Sequence, residues 1–238
     1  MNTTDNRDYY DAFSQQYDVG RDRGYHQLID EQAAALVKRY GTGKDVVEVG
    51  CGTGLILARV AEFAARSRGI DVSPGMLERA RSRGLEVMEA SASKLPFDDE
   101  SLDLAYSFKV LAHVPEFDAS LKEMLRVVRP GGHVIFDVYN RHSLRYLIKR
   151  VFGPRTTSTS YDESAITTRF LSPREAETRI PPEARVVASA GIRIVTPHPA
   201  FLRIPGLARV TRTLEWNLMH TSLSRFAGFL VYVLEKQA

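Results

Sequence analysis

The residues best suited to bind a charged cofactor form a glycine-rich turn, Glu48-Val49-Gly50-Cys51-Gly52-Thr53-Gly54, which directly follows the apolar stretch 46–49. Glycine lets the backbone turn sharply and approach a ligand closely, because it has no Cβ. A buried strand that runs through glycines into a helix is typical of a nucleotide-cofactor crevice. Leu55 stands where a dinucleotide fingerprint requires its third glycine, so the spacing is GxGxG and not GxGxxG. Taken alone, the turn is equally consistent with a structural role.

A carboxylate follows the glycine turn at the distance that a nucleotide site requires. Asp71 ends the next predicted strand, about 20 residues further along the chain, where it can accept hydrogen bonds from both hydroxyls of a ribose. Alternatively, Asp71 or Ser73 caps the helix predicted for 74–83. The two roles are compatible if these neighbours share them.

Strands and helices alternate through the first two thirds of the chain. The predicted helices are an aromatic one over 9–18 and others over 24–40, 74–83, 118–127 and 142–152; the predicted strands are 46–49, 69–71, 85–89, 102–107 and 133–138. This rhythm indicates a parallel sheet with helices on both faces. Later in the chain, we predict strands over 185–196 and 229–235 and a helical insertion over about 198–225.

Composition indicates one globular α/β protein. The chain has 238 residues, of which 44% are hydrophobic and 26% charged. No run approaches the roughly 18 uncharged apolar residues of a membrane span, and the first residues carry no export signal. A single cysteine cannot form an internal disulfide. The sequence therefore predicts a cytoplasmic protein without a transmembrane segment.

Charge is distributed unevenly along the chain. Residues 1–140 carry 17 basic and 22 acidic side chains, whereas residues 141–238 carry 15 and 7. The basic C-terminal part indicates either an anionic partner, such as nucleic acid, an acidic small molecule or a membrane surface, or simply a solvated basic face.

Five motifs in order resemble those of class I S-adenosylmethionine (SAM)-dependent methyltransferases, in particular the methyltransferase type 11 branch that includes ubiquinone- and menaquinone-biosynthesis enzymes. They are EVGCGTG (48–54), GIDVSPGMLERAR (69–81), LPFDDESLDLAYS (95–107), VLAHV (110–114) and LRVVRPGGHVIFD (125–137). The resemblance spans roughly 42–140. It implies a Rossmann-like sheet of seven mostly parallel strands, the last antiparallel, with helices on both faces.

The resemblance also implies a set of residues that bind SAM and its product S-adenosylhomocysteine. These are Tyr17, Glu48, Gly50, Cys51, Gly52, Gly54, Asp71, Val72, Met76, Ser91, Ala92, Ser107 and Phe108. Asp71 would hold the ribose, while Val72 and Met76 would flank the adenine. Ser91 stands where such enzymes usually carry an acidic residue that binds the adenine amino group, which puts that one contact in doubt.

Further candidates lie around the expected crevice. In many relatives an N-terminal helix closes over SAM, so Tyr17 is a candidate cofactor contact and proton acceptor, although aromatic residues at helical spacing are often only core. His113 follows the fourth strand, where an imidazole suits general-base work, or is a structural histidine at a helix start. Tyr10, His113 and Tyr139 are the candidate contacts of the methyl acceptor. We see no ligand pattern for a metal.

These observations predict a single domain with three parts and one function. Residues 1–41 would form a lid, 42–140 the SAM-binding core, and 141–238 a C-terminal half whose insertion at about 198–225 caps the acceptor. The predicted activity is methyl transfer to an O, N or C atom of a small or medium-sized organic acceptor. The alternatives are an RNA or tRNA methyltransferase and a non-catalytic SAM-binding protein. A nucleic-acid partner is disfavoured, because no RNA-binding module is recognisable; a homodimer would also suit the apolar insertion.

Overall fold

A computed structural model describes residues 3–152 and 168–238. The strands are β1 (Asp45–Val49), β2 (Arg66–Asp71), β3 (Glu86–Glu89), β4 (Leu102–Ser107), β5 (Val128–Asn140), β6 (Phe170–Leu171), β7 (Ala184–Ile192) and β8 (Phe229–Lys236). The helices are α1 (Thr3–Phe13), α2 (Gly24–Gly41), α3 (Leu55–Ala61), α4 (Pro74–Ser82), α5 (Phe117–Val127), α6 (Leu144–Phe152), α7 (Pro173–Glu177) and α8 (Pro205–Leu218). Short 3-10 helices cover Leu111–His113, Pro199–Arg203 and Ser222–Phe226. In the ranges described, no helix combines the length and the apolar character needed to cross a membrane.

The strands form one sheet in the order β3-β2-β1-β4-β5-β8-β7, with β6 paired to β5. β8 runs antiparallel to β5 and β7, and the other ladders are parallel. The predicted Rossmann-like sheet with an antiparallel last strand is therefore confirmed, and β6 adds a pairing of two residues that is too short for a sequence pattern to predict. The strand order reverses between β1 and β4, the switch point at which open parallel sheets bind ligands.

Each face of the sheet is covered by helices. Val47 and Val49 join the core that includes Phe117 of α5, whereas Val46 joins the core that includes Val37 of α2. Because successive side chains of a strand point to opposite faces, β1 contributes to both layers. Packing on both sides fixes the strand ends, and the loops that follow them carry the site.

Local patterns locate the elements of the central domain closely. The helices predicted for 24–40, 74–83 and 118–127 lie within one residue of their predicted bounds, and the strand at 102–107 is confirmed without a shift. β5 begins earlier than the predicted 133, because Val128 already pairs with Leu102 and the chain then bulges before His133 pairs with Leu104. The helix predicted for 142–152 begins at Leu144.

The first helix differs from the one predicted for 9–18. α1 ends at Phe13, and a series of turns follows. Asp18, which lies in these turns, accepts hydrogen bonds from Thr53, Arg79 and Arg83. These tertiary contacts override the helical spacing of the aromatic residues, as tertiary context commonly does.

A buried carboxylate organises the chain beyond β7. The strand predicted for 185–196 ends at Ile192, because Arg193 adopts a φ of 64° and the next three residues turn toward α8. Glu215 of α8 has no exposed surface and accepts the backbone N–H groups of Ile194, Val195 and Thr196 at 2.8–2.9 Å, as well as the Thr196 hydroxyl at 2.6 Å. The side chain thus satisfies three buried donors that have left the sheet.

We expect Glu215→Ala to lower the free energy of unfolding by roughly 3 kcal/mol or more, because it leaves three buried N–H groups without their acceptor. Glu215→Gln keeps one acceptor oxygen and should cost less. Urea denaturation measures both, with Glu78→Ala on the exposed side of α4 as the control. Equal stability of Glu215→Ala and the control would contradict this account.

Candidate functional site

A cavity opens at the carboxyl ends of β1, β2 and β4, at the switch point of the sheet. Together with the open solvent at its mouth it encloses about 1020 Å³. The predicted site residues that line it are Tyr10, Tyr17, Glu48, Gly50, Cys51, Gly52, Asp71, Val72, Met76, Ser91, Ala92, Phe108 and His113. The three that do not are Gly54, Ser107 and Tyr139. The structure therefore brings together residues that lie up to a hundred positions apart in the chain.

Asp71 connects the glycine turn to the start of α4. One carboxylate oxygen accepts the N–H of Gly52 at 2.9 Å, and the other accepts the N–H of Ser73 at 3.0 Å. Burial raises the pKa of Asp71 despite these bonds. The side chain of Ser73 caps α4 by accepting the N–H of Met76. Capping thus belongs to Ser73, and the remaining lone pairs of Asp71 are available to a ligand.

The glycines of the turn serve different purposes. At Gly52, where φ is 53°, a Cβ would meet no atom within 4 Å, so the backbone faces open space in the cavity. At Gly54 a Cβ would lie 2.3 Å from Leu85, so this glycine permits α3 and the segment after α4 to pack closely. Ser107 also has a structural role. Its hydroxyl donates to the carbonyl of Val49 at 2.8 Å and so joins β4 to β1.

Lys109 and Asp30 are charged residues that line the cavity and were not predicted from the sequence. Lys109 donates through Nζ to Asp30 at 2.6 Å, and its backbone N–H donates to Asp137 at 2.8 Å. Glu48, which is 2% exposed, accepts from the Tyr106 hydroxyl. Burial raises the pKa of Glu48 well above its usual range and that of Asp137 to about 7.

The sequence contains a signal for Lys109 and Asp30. Lys109 follows β4 by two residues, at the same sheet edge as the glycine turn. Asp30 is the charged residue next to Ile29 on the apolar face of α2, and it is 2% exposed. A charge on a buried face requires a partner, and here the partner is the lysine at the rim of the crevice.

The turns after α1 cover one side of the cavity and are fixed to the rest of the protein. Asp18 accepts from Thr53 at 2.6 Å and from Arg83 at 2.8 Å. Burial alone would raise the pKa of Asp18, but the hydrogen bonds from Thr53 and Arg83 lower it overall. Asp11 accepts from the N–H of Gly75 at 2.6 Å. These bonds hold Tyr10 and Tyr17 against the cavity.

Arg21 also lines the cavity and completes this wall. Its guanidinium lies 3.8 Å from the centre of the Tyr17 ring, a cation–π contact that fixes both side chains. The wall formed by Tyr10, Tyr17 and Arg21 therefore offers aromatic surface and one cationic group to a ligand.

His113 lies in the 3-10 helix after β4 and is 6% exposed. Its Nε2 is 3.2 Å from the hydroxyl of Tyr139, and its Nδ1 is 3.4 Å from the hydroxyl of Thr168. Tyr139 thus does not line the cavity, but its hydroxyl contacts His113, which does. An acceptor that gives a proton to His113 must displace one of these hydroxyl partners or use it as a relay.

The helical insertion at 198–225 lies beside α2, where Gln32 donates to the carbonyl of Glu215 and Arg212 pairs with Glu31. No residue of the insertion lines the cavity, so its role as an acceptor cap stays a prediction. Among the residues that the structure describes, no three His, Cys, Asp or Glu side chains are grouped so that they could hold a metal ion.

Comparison with known proteins agrees with this geometry. Residues 47–136 match the family model described as "Methyltransferase domain". The ubiquinone biosynthesis O-methyltransferase of Alkalilimnicola ehrlichii is 35% identical over 112 residues, which are 44% of this chain and 45% of the relative. The demethylmenaquinone methyltransferase of Mycobacterium sp. (strain JLS) is 34% identical over 133 residues, which are 53% and 56%. The chain thus spans about half the length of these relatives.

A solved structure extends the likeness to nearly the whole fold. The SAM-dependent methyltransferase of Thermotoga maritima, titled a possible histamine N-methyltransferase, superposes with a TM-score of 0.68 over 96% of this chain and 98% of the other. Its identity is 22%, so it shows the shared fold alone. Residues 47–136 are therefore similar to methyltransferase domains, and the fold around them is shared with this solved structure.

Proposed function

We propose that this chain transfers a methyl group from SAM to a small or medium-sized organic acceptor. The observation that carries the proposal is the meeting of the glycine turn with Asp71 at the switch point of the sheet, where both line one cavity. Two relatives that match part of the chain are named as methyltransferases of ubiquinone and menaquinone compounds, which supports a small-molecule acceptor.

The residues of the cavity fit SAM. Asp71 would hold the ribose hydroxyls, and the apolar side chains of Val72 and Met76 would contact the adenine. Ala92 would offer its N–H to the adenine ring, while the hydroxyl of Ser91 is hydrogen bonded to that of Ser93. Glu48 would face the positively charged part of the cofactor, since a nearby cation favours an ionised carboxylate. When bound, SAM supplies an electrophilic methyl group.

The protein's own contribution is to position the acceptor and to exclude water. Positioning supplies much of the rate of an in-line displacement, because the two reactants are held at the right distance and angle. The wall of Tyr10, Tyr17 and Arg21 closes the cavity from the N-terminal side. His113 is proposed as the general base for an acceptor that must lose a proton, with Tyr139 and Thr168 holding its ring.

The proposal includes a cytoplasmic location, supported by a single cysteine that is buried. The two alternatives, an RNA methyltransferase and a non-catalytic SAM-binding protein, use the same crevice, and no observation favours either. Acceptor turnover distinguishes the enzyme from the binding protein.

We expect Asp71→Asn to weaken the affinity for S-adenosylhomocysteine about tenfold to a hundredfold, because it removes the charged acceptor of the ribose hydroxyls. Calorimetry measures the change. Asp103→Asn is the matched control, since Asp103 also accepts a backbone N–H, that of Asp45, but at the opposite edge of the sheet. Unchanged affinity in a folded Asp71→Asn variant would refute the ribose role.

We expect Asp18→Asn to raise the dissociation rate of S-adenosylhomocysteine by about tenfold, because the turns after α1 then lose the charge that binds Arg79 and Arg83. Surface plasmon resonance measures the rate. Arg7→Gln, which breaks the exposed pair with Glu89, should have little effect. If both variants release the ligand at the wild-type rate, these turns do not act as a lid.

We expect His113→Ala to lower the turnover number about a hundredfold while S-adenosylhomocysteine affinity is kept, because a general base is lost. Wild-type turnover should also rise with pH, because only the neutral imidazole can accept a proton. If His113 is only structural, the variant loses stability, and activity falls only in proportion to the folded protein that remains. Thermal unfolding and turnover measured on the same samples separate the two outcomes.

A further inference from the structure

Helix α8 exposes several apolar side chains to solvent, and packing of the helix on the protein does not account for them. The buried positions of α8 are Thr211 and Glu215, which are polar. Leu207, Val210 and Leu214 form a stripe next to these two positions and are 36%, 56% and 42% exposed. Ile204, directly before the helix, is 58% exposed. We refer to Ile204, Leu207, Val210 and Leu214 as the α8 patch.

The α8 patch is not part of the site described above. None of its residues lines the cavity, although their apolar character first indicated an acceptor cap. Spacing of three or four residues along a helix places side chains on one face, so the patch is a continuous stripe. Exposed aliphatic stripes of this kind mark surfaces that bind something.

The surroundings of the α8 patch are basic. Residues 197–228 contain four arginines and one acidic residue, Glu215, which is fully buried. Arg203 and Arg209 are exposed and precede Ile204 and Val210 in the chain, while Arg212 pairs with Glu31. The accessible surface of this segment therefore combines aliphatic side chains with positive charge and offers no exposed carboxylate.

We propose that the α8 patch docks on an anionic lipid bilayer. An amphipathic helix lies in the membrane interface when its apolar face enters the boundary between headgroups and acyl chains and its basic residues meet anionic headgroups. The segment supplies both features, since Leu207 and Val210 expose apolar surface and Arg203 and Arg209 expose positive charge. Docking would hold the protein at the membrane surface without a spanning helix. The inference goes beyond the proposed function and does not depend on it.

Other occupants fit this surface less well. In a two-fold dimer the same patch contacts its own copy, so the arginines of both copies would face one another. A nucleic acid would bind the arginines but would leave the aliphatic stripe in water. An anionic bilayer satisfies both the charge and the apolar surface.

Co-sedimentation of the full chain with vesicles tests the proposal. We expect binding to vesicles of phosphatidylcholine mixed with phosphatidylglycerol and little binding to phosphatidylcholine alone. Leu207→Ser/Val210→Ser/Leu214→Ser should weaken partitioning about a hundredfold, since three aliphatic side chains no longer enter the interface. Arg203→Gln/Arg209→Gln should weaken it about tenfold or more and reduce its salt dependence.

Matched controls lie elsewhere on the surface. Val186→Ser removes an aliphatic side chain of β7 that is 41% exposed, and Lys122→Gln removes an exposed cation of α5, on the other face of the sheet. Both should bind vesicles as the wild type does. All variants should keep the wild-type affinity for S-adenosylhomocysteine. A failure of the membrane proposal is therefore distinct from a failure of the methyltransferase proposal.

Three results would overturn the proposal. The first is absence of wild-type binding to the anionic vesicles, or equal binding by the triple serine variant. The second is a dimer at low protein concentration that the serine variant loses, without vesicle binding, which would assign the patch to a second copy. The third is tight, salt-sensitive RNA binding lost in the arginine variant, again without vesicle binding.

Discussion

The carboxylate of Asp71 is the contact on which the cofactor crevice depends. It joins the N–H of Gly52 to that of Ser73, so the turn after β1 and the beginning of α4 keep a fixed distance. Without it, two backbone donors lose their acceptor at the point where two layers of the fold meet. The same carboxylate is the best candidate for ribose binding. Structural support and ligand recognition therefore share one side chain, and selection for either maintains both.

The second constraint is electrostatic. Lys109 contacts Asp30 with its ammonium group and Asp137 with its backbone N–H, so one residue links β4, α2 and β5. Glu48 lies in the same region, and burial raises its pKa. A positively charged ligand beside Glu48 would stabilise the ionised form of this carboxylate, which burial disfavours. The sulfonium of SAM has that charge.

Much of the fold could be predicted because its determinants are local. The short apolar run of β1 and the helical spacing in α2 indicate the type and position of these elements directly. The glycine turn and Asp71 could be predicted from spacing as well. These patterns indicate where each strand ends. The carboxyl ends of parallel strands lie at the same edge of the sheet, so residues that follow them are expected to lie close together.

The remainder depends on contacts between distant residues. The pair Asp30–Lys109 spans 79 positions, and the turns after α1 follow from the partners of Asp18. The insertion illustrates the same limit, because its composition indicates an apolar helix but not the direction of that face. Glu215 decides the direction, since its carboxylate must lie inward to reach the N–H groups after β7.

Cys51 places a thiol in the glycine turn, and the reactivity of this thiol depends on how far the turn exposes it. It is the single cysteine of the chain, it stands in the glycine turn and it is 6% exposed. Burial, reinforced by the charges of Asp71 and Glu48, raises the pKa of its thiol, so the reactive thiolate is scarce while the turn is closed. Alkylation of this thiol is therefore expected to be slow unless the turn moves and exposes it. The rate of modification would report such movement in the unmutated protein, without any attached probe.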